Sequence, residues 1–192
     1  MNHLLSKIGS YPFEKLNLLH KDIKPSKDVI NLSIGEPKLN ADSKVLDILN
    51  KEANSFANYP PMNAIPELSE AYRQYLESHF GIENVAEDEV FLVAGTREGT
   101  FSIIQALFNK ENIKDKPYVV MPNPFYQIYG GATTLAGGEA KFLDCPEEDN
   151  FQPDLGSLKS EDWQKCQILV LCSPNNPTGS VLPLSKLRDI LD

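Results

Sequence analysis

Four short apolar runs, each about a strand long and separated by stretches of helical spacing, constrain this chain more than any other feature. They are "EVFLVAG" (89–95), "PYVVMP" (117–122), "EAKFLDC" (139–145) and "QILVLC" (167–172). Strands that alternate with helices and carry apolar residues on both faces point to a parallel sheet with helices packed over it. Right-handed crossovers then bring the loops after the strands to one edge, where sheets of this kind bind ligands. The expected fold class is α/β, a partial three-layer sandwich around a mostly parallel sheet.

Helix signals fill the intervals. Phe13, Leu16, Leu18 and Leu19 suggest a short helix in the leader, and "VINLSIGEP" (29–37) reads as an extended piece ending in a turn. Residues 41–53 read as a helix with Val45, Leu46, Ile48 and Leu49 on its inner side. Ile65, Leu68, Tyr72, Tyr75, Leu76 and Phe80 follow helical spacing, with Pro66 in the first turn and Gly81 as the stop. At 192 residues the chain is long enough for a sizeable core. Its net charge of -9 disfavours nucleic acid or an acidic membrane as partner, because both need a basic face. No apolar run approaches the length of a membrane span, and no signal peptide is evident, so the cytoplasm is expected. The three cysteines form no CxxC, and Cys172 reads as a small buried hydrophobe ending a strand. The three histidines are too scattered for a metal site.

Three loops leave strand ends in this scheme. "AGTREGT" (94–100) offers Gly95 for close backbone approach, Thr96 as N-cap, and the amides of Thr96, Arg97 and Glu98 as an anion cradle. Many helices start this way and bind nothing. "PNPFYQIY" (122–129) sets Phe125, Tyr126 and Tyr129 where a flat ligand could stack, or where all three pack under the next helix. "CSPNNPTGS" (172–180) holds two asparagine amides between Pro174 and Pro177, with Gly179 allowing a sharp exit. Together the loops describe a site for a phosphorylated aromatic ring.

The motif "SPNNPTG", preceded in order by "SIGEP", "YPPMNAIPEL", "VAGTREG" and "PNPFYQIYGGA", resembles the fold-type I pyridoxal-phosphate aminotransferases of classes I and II. With "YPFEKL", these segments are most similar to the succinyldiaminopimelate transaminase branch. The resemblance implies pyridoxal 5'-phosphate as cofactor, amino-acid and 2-oxo-acid substrates with glutamate as donor, and a homodimer for the intact protein. It implies that Gly95, Thr96 and Arg97 hold the cofactor phosphate, Tyr126 stacks on the ring, and Asn176 donates to the ring's phenolic oxygen. Tyr59 would reach the phosphate of the neighbouring subunit, and Gly35 would lie near the substrate carboxylate. Residues 1–45 would join a small domain, and residues 46–192 would form part of the cofactor-binding large domain. Ala64 and Ser69 depart from the glycine and arginine often found at those positions. The family's Schiff-base lysine, pyridinium-pairing aspartate and carboxylate-binding arginine match nothing up to Asp192. No catalytic residue is therefore nominated, and a polypeptide of these residues alone is expected to be inactive and poorly soluble. Another aminotransferase, a carbon–sulfur lyase on the same cofactor, and a non-catalytic fragment are the competing readings.

Overall fold

The computed structural model describes residues 2–59, 65–109, 111 and 116–191. Residues 60–64 of the "YPPMNAIPEL" motif, Ala64 among them, lie outside the described residues. The chain divides into two compact units, residues 12–92 and residues 1–11 with 93–192. The boundary expected at 45/46 falls inside the first of these.

The 12–92 unit is helical. Helix α1 spans Pro12–His20, α2 Ser43–Lys51 and α3 Pro66–Phe80. The ends have local causes. Asp42 caps α2 by accepting a 2.8 Å hydrogen bond from the Lys44 amide. Pro66 opens α3, and Gly81 at φ 65° closes it, donating to the carbonyls of Glu77 and Leu76. The inner faces expected from periodicity are not buried. No residue of α2 is buried, Ile48 is 62% exposed, and Ser69 alone is buried on α3. Periodicity marks a face that can be covered, and no described element covers these. "VINLSIGEP" forms neither helix nor strand.

The other unit carries the sheet. Strand β1 is Tyr118–Asn123, β2 is Glu139–Asp144 and β3 is Cys166–Leu169, in the order β2-β1-β3 with both pairings parallel. Helix α4 (Thr96–Leu107) packs on α5 (Ile128–Ala136), where the Gln105 amide donates to the Ala132 carbonyl at 2.7 Å. Helices α6 (Ser160–Lys165) and α7 (Leu184–Leu191) complete the unit. The pleat of β1 divides the core. Val119 and Met121 join Phe108 and Tyr129 on one face, while Val120 joins Leu143 and Leu158 on the other. That is the expected three-layer α/β arrangement, in part.

Two strand expectations need correction. Residues 89–95 form no strand, and Phe91 is 81% exposed. A strand exists only when a neighbour completes its ladder, and no described segment pairs with this one. The 167–172 run leaves the sheet early, with β3 ending at Leu169. The Val170 amide still donates to the Val120 carbonyl at 2.8 Å. The next rung of a parallel ladder would come from residue 122, a proline with no N–H to give. At the start of β3 a register irregularity sets Gln167 aside, and its carboxamide oxygen accepts from the Asn109 amide at 2.8 Å. Among the described residues, no helix is long and apolar enough to cross a membrane, and no group of His, Cys, Asp and Glu is placed to hold a metal ion.

Candidate functional site

Because β1 and β3 are parallel neighbours, the segments after Asn123 and Leu169 leave the same edge of the sheet. The first segment carries Tyr126 and the second Asn176. The three aromatic residues after β1 separate into different roles. Phe125 lies against Phe142 of β2, with ring centroids 5.1 Å apart. It also packs on α5, where a Cβ at Gly130 would meet the Phe125 ring at 3.2 Å. Tyr129 is buried in the core. Tyr126 is half-buried and meets Tyr129 edge-to-face, at 5.8 Å and 90°. Of the two outcomes open for these rings, packing claims Tyr129 outright, while Phe125 and Tyr126 both pack on the core and keep part of their surface.

The "SPNNPTG" loop divides its two asparagines. Asn175 is buried, its Nδ2 donates to Thr178 Oγ1 at 3.0 Å, and its backbone amide donates to the Ser180 carbonyl at 2.8 Å. Gly179, at φ 73°, returns a 2.7 Å bond from its amide to the Asn175 carbonyl. Asn176 is exposed. One asparagine ties the loop down, and the next is exposed on the segment that leaves the sheet edge. Sequence alone points to Asn176 and gives Asn175 no anchoring role. The signal was there: an Asx side chain three residues before a threonine commonly bonds locally.

Cys172 corrects the expectation of a buried strand-end hydrophobe. It lies past the end of β3, is half-buried, and its thiol donates to the Pro174 carbonyl at 3.2 Å. It also adjoins Tyr129. Burial first, then the Cys172 thiol, push the Tyr129 hydroxyl from 10.0 up to about 12. The core under Tyr126 is thus joined to the start of the Asn176 loop. Burial likewise pushes the Cys145 and Cys166 thiols up. The raised pKa of Tyr129 favours the folded state fully below pH 10 and ceases to do so as pH climbs towards 12. In a thermal melt series from pH 8 to 12, wild type is expected to lose ground against Tyr129→Phe only above pH 10. Curves that stay parallel throughout would remove the coupling.

At the start of α4, Gly95 rather than Thr96 takes the cap position. Its φ of 150° favours glycine, and Thr96 becomes the first helical residue. The amides of Thr96, Arg97 and Glu98 precede the first intrahelical bond, which runs from Gly99 to the Gly95 carbonyl at 2.9 Å. The Glu98 carboxylate turns back over this end, with Oε2 2.7 Å from where a Gly95 Cβ would stand. An incoming anion would have to displace that flexible carboxylate. Tyr59 and Gly35 belong to the 12–92 unit, where Tyr59 is fully exposed and nothing lies within 4 Å of a Cβ built on Gly35. No described cavity is lined by Gly95, Thr96, Arg97, Tyr126 or Asn176.

Helix-start amides with the Glu98 carboxylate turned over them, a half-buried aromatic and an exposed asparagine on a loop already tied down are each of the kind that a phosphorylated aromatic ring requires. Comparison with known proteins points the same way. Residues 27–192 match the family described as aminotransferase class I and II. The LL-diaminopimelate aminotransferase of Natranaerobius thermophilus is 30% identical over 182 residues, covering 93% of this chain and 46% of that protein. Among solved structures, an aminotransferase from Neisseria meningitidis superposes with a TM-score of 0.90 at 38% identity, covering 100% of this chain and 49% of the other. The aminotransferase AspB from Helicobacter pylori gives 0.86 at 34% identity, covering 96% and 47%. The chain spans about half the length of these relatives. It belongs to the class I and II aminotransferases, a pyridoxal-phosphate-dependent family of transferases.

Proposed function

We propose that these residues form the cofactor-gripping portion of an aminotransferase that moves an amino group from glutamate to an acceptor on the diaminopimelate route to lysine. The observation that carries the proposal is the division between Asn175, buried and bonded to Thr178, and Asn176, exposed on a segment that leaves the same sheet edge as the one bearing Tyr126. Bound there, pyridoxal phosphate would supply an electrophilic carbonyl and a ring able to accept an electron pair. The chain's own residues do the holding. Amides of Thr96, Arg97 and Glu98 grip the phosphate at the positive end of α4. Tyr126 stacks on the ring, and Asn176 donates to the ring oxygen and fixes its orientation. Tyr59, fully exposed, is free to serve the phosphate site of a second subunit in a homodimer.

Two acceptors compete. The "PNPFYQIYGGA" and "CSPNNPTG" segments favour N-succinyl-diaminopimelate chemistry, whereas relatives near 30% identity carry the name LL-diaminopimelate aminotransferase. Assays of the full-length protein with each acceptor, glutamate as donor, separate them.

The grip itself is tested on these 192 residues by titration with pyridoxal phosphate, followed through the cofactor's absorbance. Weak, saturable, non-covalent binding is expected. Asn176→Ala should weaken it by roughly three- to tenfold, the range of one hydrogen bond. Borohydride reduction should leave only scattered labelling of exposed lysines. Unchanged affinity in both Asn176→Ala and Tyr126→Ala would end the proposal, and stoichiometric labelling of one lysine would place a covalent site within these residues.

A further inference from the structure

Beside the 175–180 loop lies a small, partly open space of about 10 Å³, walled in part by Pro122, Cys145, Gln152, Cys172, Asn175 and Leu182. That is room for the centre of one water molecule. Two buried polar atoms of this lining, Gln152 Oε1 and Asn175 Oδ1, have no hydrogen-bond partner. The orientation of the Gln152 amide is fixed by its partners. Gln152 Nε2 donates to the Val181 carbonyl at 2.9 Å, which can only accept, and to Ser180 Oγ at 2.6 Å. The carboxamide oxygen is thereby turned to the other side. Asn175 is more than nine-tenths buried, and its Nδ2 is engaged by Thr178.

A buried carbonyl oxygen left without a donor costs about as much as a lost hydrogen bond, and two on residues that line one space would make an unstable lining. We infer that a single buried water molecule sits here and donates one proton to Gln152 Oε1 and the other to Asn175 Oδ1. No charged side chain lines the space, which argues for a neutral ligand over a cation. The water acts through position. It ties the segment at Gln152 to Asn175, and so stiffens the loop that presents Asn176. The inference stands whether or not that loop holds pyridoxal phosphate.

A crystal structure of this chain tests it directly. Density for one water 2.6–3.2 Å from both oxygens is expected, and a dry space, or amides rotated onto protein donors, would overturn it. A variant gives a second reading through the sign of its effect. Cys145→Val adds roughly the volume of one water to the lining while leaving both amides in place. Filling a dry gap stabilises a protein, whereas expelling the bridging water strands two carbonyls. Exchange of the Gly179 amide, which is bonded to the Asn175 carbonyl, should then become roughly tenfold faster or more. Unchanged or slower exchange, with an unchanged or higher melting temperature, would count against the water.

Discussion

Gly138→Ala is expected to destabilise the sheet-bearing unit by about 1–3 kcal/mol, the range for forcing an extra methyl into a packed core. The new Cβ would stand 2.4 Å from Phe108 Cζ and within 3.0 Å of two more atoms of that ring. Such contacts cannot persist, so something must move. The ring cannot readily do so, because Phe108 is buried in the cluster with Val119, Met121 and Tyr129. The backbone is held too: the Gly138 amide donates to the Thr133 carbonyl at 3.0 Å as part of the close of α5. The melting temperature should drop by roughly 5–20 °C. Shortening the ring with Phe108→Leu should return part of the loss in the double variant. A Gly138→Ala protein that melts with wild type would show that the two elements are looser than described.

Met121→Ala should cost more, about 2–5 kcal/mol, since it deletes a long side chain from the middle of the core. Met121 is 0% exposed, lies on the central strand opposite Phe142, and packs in the cluster that includes Phe108 and Tyr129. Against a total of about 5–15 kcal/mol for an ordinary domain, that is a large fraction. The loop bearing Tyr126 starts just after β1, so a loosened core should also reach the aromatic signal in near-ultraviolet circular dichroism. Ile103→Ala on α4, at a side chain 56% exposed, provides the comparison and should change stability by about 0.5 kcal/mol or less. Denaturant titrations of the three proteins decide the matter. Equal midpoints for Met121→Ala and Ile103→Ala would mean that the core is not where the structure places it.

What could be read from sequence was whatever depends on neighbours along the chain. Pro66 and Gly81 announced the ends of α3, and the apolar runs at 117–122, 139–145 and 167–172 announced the three strands found at 118–123, 139–144 and 166–169. What could not be read depends on a partner distant in sequence. Residues 89–95 have strand composition, but composition does not supply a ladder. The early end of β3 depended on Pro122 standing opposite the next rung, a fact of register. Val45, Ile48 and their neighbours make a face, but nothing in their spacing says that it is covered. At the site, the three loops were legible as residue types. The order imposed on them was not. Which asparagine turns inward is decided by Thr178 and Ser180 closing on Asn175, and how Phe125 packs is decided by the room that Gly130 leaves on α5.

The inward turn of Asn175 has a consequence for the thermodynamics of association. Fixing a flexible loop around a ligand costs entropy, on the order of 0.5–1.5 kcal/mol for each side chain immobilised. Here the bonds of Asn175 to Thr178 and Ser180, and of Gly179 back to Asn175, form when the chain folds. The conformational entropy of this loop is therefore largely lost before any ligand arrives. A group meeting the Asn176 amide has mainly that one side chain left to order, so more of the hydrogen bond's strength is expressed as affinity.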